Sequence, residues 1–252
     1  MNGVIVIGTS MLLSVAGLLA VRRCVSVAWL RRHHEAASHF FLMVGTLYAV
    51  LIAFAIFVVW TESKEAGTNL EHEATELADL SRLSTAMPDP LRREITAALM
   101  EYLNSVVEEE FPNMQQGGDS QRTWTAVQHL WDVYGTSQPE TPRLQAYFAE
   151  SLKHLTQLSD YRRSRLFTSH GTVPAVLWQL LVSGAILLIA FSYSVGQESV
   201  WSQAAMVGAL AGILACSLFL IKSLDNPYSG VTRVTPQPFM LELQHVRSRM
   251  PK

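Results

Sequence analysis

Four largely apolar stretches of the chain contain no Asp, Glu, Lys or Arg, and charged residues separate them. They are residues 1–21, 36–61, 166–197 and 199–221. The hydrocarbon core of a bilayer is about 30 Å thick, so a helix rising about 1.5 Å per residue needs roughly 20 apolar residues to cross it. Each stretch meets that length. The pattern predicts four transmembrane helices in two pairs, at Gly3–Val21, Phe40–Trp60, Val173–Tyr193 and Trp201–Ile221.

The first stretch is predicted to be an uncleaved anchor rather than a secretory signal peptide. No basic region precedes it, no small-x-small cleavage site follows it, and Arg22 and Arg23 come directly after it. The charges leave the membrane orientation open, because cations near the span ends are about equally numerous on both sides. The two sets are Arg22, Arg23, Arg31 and Arg32 against Lys64, Arg162, Arg163, Arg165, Lys222 and Arg233.

The segment between the pairs, residues 61–172, is predicted to form amphipathic helices that pack as an extramembrane bundle. Apolar residues recur there at helical spacing, in the sets Leu70, Ala74, Leu77 and Leu80; Ile95, Leu99, Tyr102 and Val106; and Leu144, Phe148, Leu152 and Leu155. Turn signals break the pattern at Met87–Pro90, Pro112–Ser120 and Gly135–Pro142. The predicted protein is all-α, with boundaries at 1–60, 61–172, 173–222 and a tail at 223–252.

The composition supports the prediction of a membrane protein. Apolar residues make up 49% of the chain, charged residues only 16%, and the mean hydropathy is +0.20, which excludes an ordinary soluble domain and a disordered chain. Cys24 and Cys216 are the only cysteines and lie in or beside apolar stretches, so a disulfide scaffold is also excluded. The net charge of −2 offers no surface for nucleic acid.

Clusters of titratable side chains are interpreted as solvated helix surface. Glu71, His72, Glu73 and Glu76 could suggest a metal site. Helical spacing brings only His72 and Glu76 together, so an exposed polar face is favoured. The run Glu108–Glu110 has the same interpretation. His33 and His34 point about 100° apart on a helix, a poor arrangement for chelation. No catalytic sequence motif occurs, so neither an enzyme nor a cofactor is predicted.

Gly208 and Gly212 form a Gly-x-x-x-Gly pattern in the fourth span, with alanines close by. Small residues at this spacing let two helices approach closely in a membrane. Packing within one chain is favoured over packing between chains.

A motif follows the fourth span: Leu224-Asp225-Asn226-Pro227-Tyr228-Ser229-Gly230, and shortly afterwards Val234-Thr235-Pro236-Gln237-Pro238-Phe239. It resembles the Leu-Asp-x-Pro-aromatic-x-Gly segment and the Pro-x-Pro-Phe-like stretch of the bacterial bestrophin-like membrane proteins. Further matches to that family run in the same order over about residues 40–240, at Gly45–Tyr48, Trp60, Glu73, Ala74, Leu77, Tyr102–Pro112, Arg162–Leu166 and Pro174–Trp178.

That family in turn is similar to the bestrophin anion channels. The resemblance implies a homo-oligomer, a pentamer with four spans per subunit, in the bacterial inner membrane with residues 61–172 in the cytoplasm. It also implies a pore lined by the second span. Bestrophins of animals carry a string of acidic residues after the motif that helps bind calcium, whereas Ser229–Arg233 stand here, so calcium gating is not implied.

If the second span lines a pore, four-residue spacing selects Met43, Leu47 and Leu51, with Phe54 one helical step onward. The ring would be hydrophobic and could gate by dewetting. Ordinary span packing is the alternative for these residues. Residues 61–173 carry seventeen acidic and ten basic side chains, which would concentrate cations, so the sign of the permeant ion stays open.

The predicted function is therefore an oligomeric, bestrophin-like ion channel in a lipid bilayer. A non-conducting membrane scaffold or sensor, which binds a partner protein through the acidic helices, is the alternative. The spans contain no charged residue, which places coupled transport third.

Overall fold

The computed structural model describes residues 3–25, 34–171, 173–195, 197, 199–229 and 233–249, without the side chains of 34–36. All regular elements in these ranges are helical, which confirms the all-α prediction. The α-helices are α1 (Gly3–Cys24), α2 (His34–Ser84), α3 (Leu91–Ser105), α4 (Phe111–Met114), α5 (Gln121–Thr136), α6 (Pro142–Thr168), α7 (Ala175–Ser194), α8 (Val200–Asp225) and α9 (Gln237–Arg249). A π-helical segment, Val106–Glu110, joins α3 to α4.

Four of these helices are long and apolar enough to span a membrane: α1, α2 from Ala37 onward, α7 and α8. They contain the first, second and fourth predicted spans whole and the third from Ala175 onward. The chain is therefore an integral membrane protein with two pairs of transmembrane helices. The second helix does not end near Trp60. The helix continues without interruption to Ser84 and is 51 residues long in all. It continues because the helical spacing of apolar side chains extends beyond the membrane stretch.

Local sequence explains where the extramembrane helices begin. The hydroxyl of Ser120 accepts the Thr123 N–H before α5, and Thr141 accepts the Leu144 N–H before α6, whose first residue is Pro142. These are the breaks that the turn signals predict.

The predicted break over Pro112–Ser120 is present but begins later than predicted. Residues 106–114 remain helical, and the turn begins only at Gln115. Pro112 is tolerated because it lies in the first turn of α4. Gly117, with φ of +76°, then reverses the chain in a backbone conformation that L side chains rarely adopt.

The chain divides into two compact units. The membrane unit comprises residues 1–61 and 173–225, and the extramembrane unit comprises 62–172 and 226–252. Within the membrane unit, α1 packs closely against α8. Gly208 and Gly212 lie at that contact, where a Cβ on Gly212 would meet the Met11 sulfur at 3.2 Å and one on Gly208 would meet Val15 at 3.5 Å.

The extramembrane unit has one apolar core, to which α2, α3, α5, α6 and α9 all contribute. The first two predicted helix faces are buried in it. In the third, Phe148 and Leu155 are buried and Leu144 and Leu152 are partly buried. These faces explain why short helices that would be marginal alone are stable together.

Candidate functional site

The membrane part of α2 has one packed face and one exposed face. Tyr48, Ala55 and Val59 are buried in two apolar clusters that include residues of α7 and α8. The opposite side of the helix is largely apolar and is exposed in the part of the chain that the structure describes. The described chain therefore presents a hydrophobic surface along this span.

The four residues selected as pore-lining divide between these environments. Met43, Leu47 and Phe54 are 64%, 69% and 64% exposed. Leu51 is half-buried and packs against both apolar clusters. The division follows from helix geometry, since each step of four residues rotates by about 40° beyond a full turn and carries Leu51 towards the packed side.

Tyr48 fixes α2 against α7. Its ring lies across Gly184, where a Cβ would stand 2.8 Å from the Tyr48 Cδ2 atom, and its hydroxyl donates to the Leu181 carbonyl. Glycine is required at position 184 because any larger residue would displace the ring. Inside a membrane the hydroxyl has no water to bond, so a backbone carbonyl satisfies it.

The same arrangement joins α7 to α1. The hydroxyl of Tyr193 donates to the Ser14 carbonyl at 2.9 Å, and a Cβ on Gly17 would stand 2.7 Å from the Tyr193 oxygen. In both places a tyrosine covers a glycine and bonds the carbonyl three residues before it. We call these the two Tyr–Gly locks.

Asp225, the last residue of α8, closes the second pair of spans. Its carboxylate accepts the Val173 N–H at 2.9 Å and the Trp178 indole N–H at 3.3 Å. Lys222 lies over the Trp178 ring, 5.6 Å from its centroid. A carboxylate at the beginning of α7 is favourable because the N-terminal end of a helix carries partial positive charge.

The rest of the motif turns the chain into the extramembrane unit. The Ser229 N–H donates to the Asn226 carbonyl and the Val234 N–H to the Pro227 carbonyl. Tyr228 is buried, packs edge-on against Phe111, and donates to the Ala66 carbonyl at 3.4 Å. Gly230 lies outside the described residues.

A network of buried charges lies inside the extramembrane unit. Arg165 is fully buried and pairs with Glu73 at 2.7 and 3.0 Å and with Glu110 at 2.7 Å. Arg162 pairs with the other oxygen of Glu110 at 2.5 Å, and Tyr102 donates to Glu73. Two carboxylates and two guanidinium groups thus compensate one another. We call Glu73, Glu110, Arg162 and Arg165, with Tyr102, the buried charge network.

Aromatic rings complete the surroundings of Arg165. Its guanidinium lies between Phe111 and Phe239, at 5.4 and 5.6 Å from the ring centroids, and Nη1 donates to the Met114 sulfur. Phe239 belongs to α9, so this contact also holds the C-terminal helix in the core.

The network shifts two pKa values. Burial raises the pKa of the Tyr102 phenol well above its usual value, and the Glu73 carboxylate beside it adds to the increase. Burial by itself would lower the pKa of Arg165, but the adjacent Glu73 and Glu110 carboxylates hold it above its ordinary value. Arg165 is therefore permanently charged, and Tyr102 is neutral over the physiological range.

The interpretation of the acidic clusters as solvated surface is wrong for three residues. Glu73 and Glu110 belong to the buried charge network, and Glu76 is buried beside His154, 2.6 Å from its Nδ1. Glu71 and His72 are exposed, as expected. A charge-pattern argument misses Glu73 because Glu71 and His72 beside it in sequence are exposed, whereas the Glu73 carboxylate is buried against Arg165 and Tyr102.

A spacing signal in the sequence could have found the network. Glu73 continues the buried series Ala66, Leu70, Glu73, Leu77 and Leu80, and the two arginines continue the series Phe148, Ser151, Leu155, Leu158, Arg162 and Arg165. Both series advance by alternating steps of three and four, which keeps a residue on one helix face. A charged residue in such a register predicts a buried ion pair.

The chemistry of this network is structural. Each charged member is buried and hydrogen-bonded to another member, so the network joins helices of the extramembrane unit. In the described part of the chain, no three His, Cys, Asp or Glu side chains are grouped to bind a metal ion.

Comparisons with known proteins give a consistent result. A sequence profile described as the Bestrophin-like domain matches residues 8–239. Two crystal structures of variants of a bacterial bestrophin homologue from Klebsiella pneumoniae have the same fold. One has a TM-score of 0.72 at 10% identity, covering 99% of this chain and 98% of that chain. The other has a TM-score of 0.69 at 13% identity, covering 98% and 100%. No curated protein matches in sequence.

Proposed function

The chain belongs to the Bestrophin-like domain family, and from this premise we propose that it is the subunit of a homo-oligomeric ion channel. The proposed assembly is a pentamer with the membrane part of α2 around the pore. One observation carries the proposal: α2 presents a continuous apolar face that no described residue of the same chain covers. Around an axis, those faces would form a hydrophobic passage.

Three residues are proposed to form the constriction. Met43, Leu47 and Phe54 project from the exposed face, and Leu51 supports them from the flank, where it packs against α7 and α8. A narrow apolar ring opposes ion passage when it loses water and permits it when wet. The two Tyr–Gly locks hold the spans behind it, which keeps the diameter of the ring defined.

The proposed orientation in the membrane is the one that the resemblance to bestrophins implies. Residues 61–172 lie on the cytoplasmic side of a bacterial inner membrane, and the predicted boundaries at 60, 172 and 222 mark where the chain enters or leaves it. The excess of carboxylates in residues 61–173 lies outside the buried charge network, which is itself neutral. That excess would attract cations.

The first experiment is imaging of the full-length protein in nanodiscs. A five-fold ring with α2 innermost supports the proposal. A monomer or dimer without an axial passage contradicts it and favours the scaffold or sensor alternative. If a ring is observed, the protein should be tested in planar bilayers with opposed chloride and potassium gradients. The reversal potential then gives the sign of the permeant ion.

A matched pair of variants tests the pore face directly. Leu42 and Leu47 are the same residue type on the same helix, are equally exposed at 69%, and point about 140° apart. Leu47→Ala should widen the constriction and raise the open probability or conductance several-fold. Leu42→Ala should leave currents unchanged. Equal effects of the two substitutions, or none from Leu47→Ala, would reject this face as the pore.

A further inference from the structure

An apolar cavity of about 360 Å³ lies in the membrane unit, where the start of α2 meets the end of α7 and the first turns of α8. Its volume is in the range of ligand pockets, roughly 300–1,000 Å³. The lining residues include Phe41, Val195, Met206, Val207 and Leu210.

Three polar residues of the wall have hydrogen-bond acceptors within the protein. The Gln203 amide is almost fully buried and donates to the carbonyls of Tyr193 and Val195. The Ser192 hydroxyl donates to the Ile189 carbonyl of its own helix, and the Gln197 amide donates to the Met206 sulfur. The cavity therefore offers a largely apolar surface to an occupant.

A guanidinium stands beside this cavity. Arg22, at the end of α1, donates from Nε to the Gln203 side-chain oxygen at 2.9 Å and from Nη2 to the Gln197 carbonyl at 2.5 Å. Both partners line the cavity. Arg22 is thus held in one position by neutral acceptors from the loop before α8 and from α8 itself.

The hydrogen-bond partners that the structure describes for Arg22 are neutral. Among the residues that the structure describes, no carboxylate lies within 4.0 Å of it, and its Nη1 has no acceptor. By contrast, Arg162 and Arg165 each pair with a buried carboxylate. A partly buried guanidinium that keeps Nη1 free can donate one charge-assisted hydrogen bond to a phosphate oxygen.

From this combination we propose that the cavity is a binding site for an anionic phospholipid. One acyl chain occupies the apolar cavity, and the phosphate pairs with Arg22. The occupant is a lipid of the surrounding bilayer because the site lies at the ends of three membrane-spanning helices, where an apolar chain and a phosphate are presented together. The proposal does not depend on whether the protein conducts ions.

The test compares two lipids with identical acyl chains, phosphatidylglycerol and phosphatidylcholine. Native mass spectrometry of the full-length protein, released from nanodiscs that contain both, counts the lipids retained. Wild type should retain phosphatidylglycerol in preference. Arg22→Gln should weaken that retention by about tenfold or more, because it removes a charge-assisted hydrogen bond.

Arg23→Gln is the matched control. Arg23 is the next residue along the chain and is exposed. Its substitution removes the same charge, yet the variant should retain the lipid as wild type does. Met206→Trp keeps all charges and narrows the cavity from a partly exposed position, so it should also lower retention.

Three results would overturn the proposal: equal losses in Arg22→Gln and Arg23→Gln, equal retention of the two lipids by wild type, or undiminished retention in Met206→Trp. A competition with soluble glycerol phosphate separates lipid from free phosphate. If millimolar glycerol phosphate displaces the lipid, the site recognises the phosphate alone and the acyl chain has no role.

Discussion

The membrane unit and the extramembrane unit are both helical, but they bury polar groups in different ways. Between the spans, neutral hydroxyls donate to backbone carbonyls, as in the two Tyr–Gly locks. In the extramembrane core, two carboxylates and two guanidinium groups are buried together. A hydroxyl in hydrocarbon can use a carbonyl that every helix already supplies, whereas a buried charge needs a specific partner from another helix.

The difference predicts unequal tolerance of substitution. Losing one hydroxyl from a span removes a modest hydrogen bond, since such bonds between membrane helices average about 0.6 kcal/mol. Losing one charge from the network leaves a buried charge of the opposite sign uncompensated. The extramembrane unit should therefore be the more fragile of the two to polar substitutions, although a solvated bundle would ordinarily be expected to tolerate them.

The largest effect is expected from Arg165→Met. It leaves Glu73 and Glu110 without their shared partner and should lower the free energy of unfolding of the extramembrane unit by about 3–5 kcal/mol. Thermal melts and limited proteolysis of the full-length protein in detergent would measure it. Arg163→Met is the control, because Arg163 is exposed and its ion pair with the exposed Asp160 is long, at 3.8 Å. The effect of this substitution should stay within about 0.5 kcal/mol. Similar losses from both would contradict the comparison.

A smaller effect is expected when a Tyr–Gly lock is overfilled. Gly184→Ala places a methyl group against the Tyr48 ring and should destabilise the membrane unit by about 1–3 kcal/mol. Gly8→Ala is the matched control in another span, because no atom lies within 4 Å of the added carbon. Helix propensity favours alanine there by up to about 1 kcal/mol. Melting temperatures in detergent should shift in opposite directions, and a common shift would argue against the lock.

The smallest effect is a dependence on alkaline pH that belongs to the extramembrane unit. Folded Tyr102 keeps its proton above pH 10.0, the usual tyrosine pKa, while unfolded Tyr102 loses it. The unfolded state then binds fewer protons, so stability should fall with rising pH, by up to about 1.4 kcal/mol per unit from this residue. Tyr102→Phe should make that slope shallower in alkaline denaturation curves. An unchanged slope would show that the Tyr102 proton is not linked to folding.

Sequence patterns are sufficient for the scaffold of this protein and insufficient for its buried charges. Charge-free length locates the spans because hydrocarbon thickness is a strict requirement on any spanning helix. Periodicity likewise locates the apolar faces, such as Leu70 and Leu77 of α2. The break predicted over Pro112–Ser120 begins only at Gln115, because proline is compatible with the first turn of a helix and its position within an element matters more than its presence.

The buried charges could not be paired from sequence alone. The register of Glu73 or Arg165 indicates burial, but the pairing joins residues 92 positions apart and depends on how three helices meet. The candidate pore face has a related difficulty. Four-residue spacing treats Leu47 and Leu51 alike, whereas the packing of α2 on its neighbours separates them.

The two Tyr–Gly locks also constrain how the protein is made. Both use α7: Gly184 of α7 receives Tyr48, and Tyr193 of α7 covers Gly17. During synthesis, α1 and the membrane part of α2 leave the ribosome long before α7, which follows the whole intervening extramembrane stretch. The first two helices therefore enter the bilayer without the partner that locks either of them. A nascent chain stopped before residue 175 has inserted half of its spans and has neither lock, so membrane insertion and helix packing are separate stages of its biogenesis.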